Sequence, residues 1–255
     1  MKLGCMSLSY QRNFKAGRMD LESFIERCYQ LRLDAVDLHA RSFNSTEERY
    51  LRRIKMLCLK RGLSVPCLCV STDFGKREAQ LPEELATFKH WVDVAHFLGI
   101  PIVRSFGGWP PQGEEREGAW ARAVKSLREM AAYAEERGIV VGLQNHNGRG
   151  LVEKGEEVLK ALEEVDSPYF SHILDTGQFV DFYPSIEMTS PYAIHVRAKI
   201  YQIETGEERR LDYGQIFPIL EEAGFNGTIS IVYEGKEPEE IAIPKAVKYL
   251  RHFIP

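Results

Sequence analysis

Four times along the chain an amphipathic stretch of helical period runs into a glycine and then into a short apolar segment. The junctions are Lys60-Arg61-Gly62-Leu63, Phe97-Leu98-Gly99-Ile100, Glu136-Arg137-Gly138-Ile139 and Glu222-Ala223-Gly224-Phe225. Glycine just past a helix end enters the left-handed backbone region without a Cβ clash. An apolar run after it reads as a parallel strand covered on both faces. Helix starts agree with this phrase. Ser45-Thr46-Glu47-Glu48 has capping-box spacing, with Ser45 as cap and Glu48 reaching back. Pro82 suits a first helical turn, and Asp20 and Asp212 suit caps.

This reading places strands near 2–8, 34–39, 63–70, 100–104, 139–144, 170–175, 193–199 and 228–233. Helices fall near 20–31, 46–61, 82–98, 115–137, 153–164, 184–190, 213–223 and 238–252. Eight βα units without a Pro/Gly/Ser-rich linker predict a (β/α)8 TIM barrel, α/β in class, with residues 1–255 as a single domain.

Side chains alternate along a strand, so parity sorts the barrel interior from the helix-facing layer. On the seventh strand Ile194, Val196 and Ala198 form the outer set, which leaves His195, Arg197 and Lys199 inside. On the eighth, Ser230, Val232 and Glu234 face inward; on the fifth, Val140, Gly142 and Gln144, with His146 just beyond. Asp175 shares a face with Ile173, Arg104 with Ile102, and Asp37 with His39. Polar groups are thus expected at the C-terminal strand ends, where active sites of this fold lie. Unpaired burial of such charges costs several kcal/mol each, so a functional pocket is the economical explanation. Other features read as structure. His90, His96 and His252 fall on helices, Phe88, Trp91, Val92, Ala95 and Leu98 follow core spacing, and Glu114–Glu117 is a solvated helix start. Trp109, in the Gly/Pro-rich loop 107–113, is placed to wall a ligand site at the barrel mouth.

Composition narrows the classes. A net charge of −4 gives no footprint for nucleic acid. No long apolar stretch predicts a signal peptide or a membrane span. The five cysteines, Cys5, Cys28, Cys58, Cys67 and Cys69, lie in apolar segments, which suggests packed, reduced thiols and a cytoplasmic protein.

The chain resembles the xylose-isomerase-like TIM-barrel family of sugar phosphate isomerases and epimerases along essentially its whole length. The likeness rests on Gly99-Ile100…Val103-Arg104, Gly142-Leu143-Gln144-Asn145-His146-Asn147-Gly148 and Leu174-Asp175-Thr176-Gly177-Gln178-Phe179. Pro191-Tyr192-Ala193-Ile194-His195-Val196-Arg197-Ala198-Lys199 and Ser230-Ile231-Val232-Tyr233-Glu234-Gly235 complete it. The resemblance implies a divalent ion (Mn, Mg, Zn or Co) held by Glu, Asp, His or Gln, and Glu on successive strands, the two Glu also shuttling a proton between sugar carbons. At those positions this chain has Gln144, Asp175, Arg197 and Val232. Asp175 is kept and a Gln carbonyl ligates a hard cation weakly, but Arg has only donors and Val offers nothing, so no cofactor is expected; if a metal is present, it is one of those divalent ions.

An inward guanidinium would restore the charge balance, and an Arg197–Asp175 pair is the expected replacement for the ion. The leading expectation is then a metal-free isomerase or epimerase on a carbohydrate. His146 and Glu234 would exchange protons, Lys199 would hold substrate oxygens, and Arg104, Trp109, His195, Arg197, Asp175, Gln144 and His39 would line the pocket. One alternative is a non-catalytic pseudoenzyme that binds a ligand or regulates a partner. Another is a shifted metal site built from His146, Asp175, His195 and Glu234. The expected partner is a small carbohydrate, with neither nucleic acid nor membrane; a homo-oligomer or pairing with an active paralogue stays open.

Overall fold

The computed structural model describes residues 1–254. Eight parallel strands follow chain order around a closed barrel. They are β1 (Lys2–Met6), β2 (Ala35–His39), β3 (Cys67–Cys69), β4 (Ile102–Ser105), β5 (Val140–Gln144), β6 (Phe170–Asp175), β7 (Ala193–Ile200) and β8 (Thr228–Tyr233). The expected α/β fold, a (β/α)8 TIM barrel, is therefore what the chain adopts. The helices are α1 (Gln11–Lys15), α2 (Leu21–Gln30), α3 (Glu48–Arg61), α4 (Leu81–Leu98), α5 (Arg116–Glu135), α6 (Gly155–Val165), α7 (Tyr183–Thr189), α8 (Tyr213–Glu222) and α9 (Glu239–Arg251).

Local signals explain most boundaries. Gly62 and Gly99 end α3 and α4 with φ of 65° and 78°, in the left-handed region. Asp20 caps α2 by accepting from the Ser23 backbone at 2.8 Å, and the Ser23 hydroxyl returns to the Asp20 N–H. Asp212 caps α8 by accepting from the Gly214 N–H at 2.9 Å. The expected box at Ser45 does not form. Helix α3 begins only at Glu48, and Ser45 Oγ accepts from the Glu47 N–H at 3.0 Å. A serine bonding its own backbone two residues on closes a turn instead of capping a helix.

The first strand also stops early, at Met6, and a 3-10 turn over Ser7–Tyr10 leads into α1. Serine hydroxyls take the backbone partners that a longer strand would use. Ser7 Oγ accepts from the His39 N–H, while Ser9 Oγ donates to the Ile231 carbonyl and accepts from the Tyr233 N–H.

Two compact units divide the chain, one of Met1–Cys67 with His195–Pro255 and one of Leu68–Ile194. In the first, β1 pairs in parallel with β2 and with β8, and β7 pairs with β8, with Arg197 opposite Ser230. In the second, β4, β5 and β6 pair in order, with Arg104 opposite Gly142 and Gln144 opposite Ile173. Gly142 lies where a Cβ would meet Ile173 Cδ1 at 2.5 Å and Ile102 Cγ2 at 3.1 Å. The apolar layer there is closed against backbone. Among the described residues no helix is long and apolar enough to cross a membrane. All five cysteines are free and buried.

Candidate active site

In the first unit, Asp37 on β2 is wholly buried and gathers two side chains of β7. His195 Nε2 donates to Asp37 Oδ2 at 2.9 Å, and Arg197 Nη1 donates to the same oxygen. Strands β1 and β8 lie between β7 and β2 in the sheet. The contact therefore runs across the barrel interior, which confirms the parity assigned to His195 and Arg197. Arg197 is the largest side chain that is fully buried, and its Nη2 also donates to Cys67 Sγ at 3.4 Å.

Burial pushes the Asp37 carboxyl up, but the Arg197 charge and the interaction with His195 more than offset it and hold the group down at about 2. Burial pushes the His195 imidazole down; Asp37 pulls it up, Arg197 pushes it down again, and the net direction is down. At neutral pH the cluster is thus a carboxylate and a guanidinium joined by a neutral imidazole. Asp37 was expected inside the barrel, but nothing in the sequence singled it out as the partner of Arg197.

Farther along β7, Lys199 Nζ donates to Glu234 Oε1 at 2.9 Å. The lysine side chain is 4% exposed and the glutamate side chain 40%. Glu234 therefore presents a carboxylate to solvent while a buried ammonium fixes one of its oxygens. His39 ends β2 and accepts at Nδ1 from the Arg41 N–H at 3.1 Å, so its ring is turned into the loop that follows. Val232 is buried, as its apolar side chain requires.

In the second unit, Gln144 Nε2 donates to Asp175 Oδ2 at 2.9 Å. Asp175 Oδ1 accepts from the Gly177 N–H, and the Asp175 backbone exchanges two bonds with the Asn145 amide. Beside them Phe106, Trp109 and His146 form a ring cluster, with His146 5.1 Å from Phe106 and 5.3 Å from Trp109 between centroids. His146 Nδ1 lies 2.6 Å from the Asn147 carbonyl. These rings, Gln144 and the glycines 107, 108 and 150 line a small recess. The loop holding Trp109 is fixed by close backbone approach. A Cβ on Gly75 would meet the Trp109 carbonyl oxygen at 2.3 Å, and the Trp109 N–H donates to Asp73 Oδ1 at 2.9 Å.

Arg104, buried on β4, stacks its guanidinium 4.0 Å from the Phe106 ring centre. His172, which the sequence reading passed over, is buried with Nδ1 3.0 Å from the Leu143 carbonyl, and burial lowers it to about 4. It reads as a neutral packing residue of β6.

The four family positions do not form a donor set for a hard dication. Gln144 offers only a neutral amide oxygen, Arg197 delivers a buried positive charge, and Val232 has no donor atom, which leaves Asp175 as the one carboxylate of the four. The shifted set fares no better, since His195 Nε2 is committed to Asp37 and Glu234 Oε1 to Lys199. Among the described residues no three His, Cys, Asp or Glu side chains come together as metal ligands.

Comparison with known proteins fixes the family. The model of the xylose isomerase-like TIM barrel family matches residues 21–253. The chain belongs to that family. Inosose dehydratase of Geobacillus kaustophilus is 28% identical over 151 residues, 53% of this chain and 48% of that protein, so the chain matches about half the length of this relative. D-psicose 3-epimerase of Enterocloster bolteae is 22% identical over 214 residues, 77% of this chain and 68% of the relative. Among solved structures, D-psicose 3-epimerase with D-tagatose from Clostridium cellulolyticum H10 superposes with a TM-score of 0.82 at 18% identity, covering 99% of this chain and 98% of that one. At that identity the superposition shows the shared fold.

Proposed function

We propose that the chain is a carbohydrate enzyme of the isomerase or epimerase class that moves a proton beside a carbonyl without a metal at the family positions. The observation that carries this reading is the wholly buried Arg197 guanidinium, standing where the family places a metal ligand and neutralised by Asp37. A fixed guanidinium at a family ligand position balances a buried carboxylate without an ion, and this charge balance is the part of an ion's role that it replaces. The two sequence relatives are named a dehydratase and an epimerase. Beside a carbonyl, either kind of reaction can begin with loss of the α proton, and the likeness to both supports a proton-transfer site.

Glu234 is assigned as base. Its half-exposed carboxylate takes the carbon-bound proton, and Lys199, already bonded to it, donates to the oxyanion that develops. His146, at the end of β5 beside Trp109, is the second proton-transfer group, and the Trp109 face offers apolar surface to the carbon-bound side of a sugar. Arg104, Gln144 and Asp175 in the second unit, and His39, His195 and Arg197 in the first, are each proposed as ligand-lining residues of their own unit.

Solvent exchange tests the assignment. Ketoses are incubated with the protein in D2O and EDTA, and deuterium at the carbon next to the carbonyl is followed by NMR. Incorporation should persist in chelator and fall by about 10²–10⁴-fold in Glu234→Gln. Incorporation that requires added Mn, Mg, Zn or Co would establish a metal enzyme. None under any condition would favour the second reading, a non-catalytic barrel, which draws on Gln144 and Val232 standing where the family carries its two proton-shuttling carboxylates.

A further inference from the structure

The first unit contains a cleft of about 630 Å3 that the catalytic reading does not use. Two loops on the C-terminal side of the barrel form it, the one after β1 and the one after β2. Its lining carries three cationic side chains, Lys15, Arg18 and Arg41, against one carboxylate, Asp20. The whole chain has the opposite sign, −4.

The cations are not mutually cancelled by neighbours. None of the three is paired with a carboxylate among the described residues. Asp20 is already spent on α2, accepting from the Ser23 N–H and hydroxyl, and those bonds lower its carboxyl below the ordinary range. The positive end of α2 adds to the potential at the cleft edge.

One cation is deliberately aimed. Glu239, only 2% exposed, accepts from Asn13 Nδ2 at 2.6 Å and from the Asn13 N–H at 3.1 Å. Asn13, itself buried, then accepts from Arg18 Nε at 2.9 Å. A buried acid thus locks an amide, and the amide orients the guanidinium. With Nε held, the Nη edge of Arg18 is left for a planar or tetrahedral oxyanion. The cleft also abuts the strand ends. Ser42 in its wall lies 2.9 Å from Ser7 Oγ, which accepts from the backbone of His39, two residues past Asp37 on β2.

We propose that this cleft holds the terminal oxyanion, a phosphate monoester or a carboxylate, of an otherwise neutral carbohydrate whose sugar carbons extend toward β2. The assignment rests on the carbohydrate reading above for the rest of the ligand, and it makes the substrate an anionic sugar derivative. A cleft of this volume suits such a molecule, because small-ligand sites run from about 300 to 1,000 Å3.

Calorimetry on the full chain tests it with a ketohexose, its phosphate monoester, a sugar acid and inorganic phosphate as probes. The monoester or the acid should bind about tenfold or more tightly than the neutral sugar, and Arg18→Gln/Arg41→Gln should abolish that preference. Which anion gains more identifies the group. Asn13→Ala should weaken the preference while leaving both cations present, and Lys15→Gln gives a second exposed variant independent of Asn13. Equal binding of neutral and anionic sugars, or a preference that survives the double substitution, overturns the proposal while leaving the carbohydrate reading intact. Phosphate binding that depends on Arg18 with no affinity for any sugar keeps the anion site and removes the carbohydrate reading.

Discussion

At the scale of single residues, the buried charges decide most. Arg197→Met leaves the Asp37 carboxyl in the barrel interior without its guanidinium. Breaking one partner from a buried pair costs about 3–5 kcal/mol, and urea unfolding should show a loss of that size. Asp37→Asn/Arg197→Met should lose less than the sum of the two single changes. Acid acts on the buried histidines and on Asp37 in two waves. His172 and His195 are held neutral, their protonation pushed below the usual histidine range, so the unfolded chain takes up protons first and stability falls as pH drops below about 6.5. For His172, lowered from 6.5 to about 4, the loss by pH 4 is on the order of 3 kcal/mol. His172→Gln should flatten that wave in unfolding curves taken from pH 7 to 4. Asp37 adds a second wave between about 4 and 2, since its depressed carboxyl contributes stability above the ordinary range and loses it on the way down to its own value. Parity along β7 was enough to place His195 and Arg197 inside. It was not enough to name Asp37 as their shared acceptor, because a contact across a barrel pairs residues 158 and 160 positions apart in the chain.

At the scale of elements, what was legible depended on whether the signal was local. Glycine stops and apolar runs are read within a few residues, and strands β2, β5, β6 and β8 fall within a residue or so of their expected limits. Caps proved less safe. Asp20 and Ser45 look alike in sequence, yet only Asp20 bonds a helical N–H. Asp20→Ala should therefore cost about 1 kcal/mol, whereas Ser45→Ala should leave thermal unfolding almost unchanged. The sequence pattern offers a strand to residue 8 and no helix before 20, yet the intervening segment holds α1 with part of the cationic cleft. Its conformation is set by Ser7 and Ser9 bonding to β2 and β8, partners that no window of sequence contains. Gly142 is the converse case, a plain strand residue in sequence and a tight contact in space. Gly142→Ala should destabilise by about 1–3 kcal/mol through overpacking on Ile173. Adding Ile173→Ala should cost less than the separate losses predict, a coupling that a double-mutant cycle in urea measures directly.

At the scale of the whole molecule, the question is whether a dication belongs to the folded state at all. A ligand that binds only the folded chain raises stability in proportion to the logarithm of its saturation. At a concentration one hundred times its dissociation constant the gain is about 2.7 kcal/mol. For a chain of this length each kcal/mol moves the unfolding midpoint by about 2–4 °C, so a resident Mn, Mg, Zn or Co would shift it by about 5–10 °C. EDTA would bring the midpoint back down by the same amount. Here Asp175 is bonded to Gln144, whose neutral amide oxygen stands in place of a carboxylate, and the remaining family positions hold groups that repel or ignore a cation. An entering ion would find one carboxylate and one neutral amide oxygen and would have to tolerate a buried guanidinium. The expected midpoint is the same in EDTA and in millimolar divalent metal. A reproducible metal-dependent rise, reversed by chelator, would mean that these side chains rearrange to admit the ion, and the fixed cation would then lose its place in the mechanism.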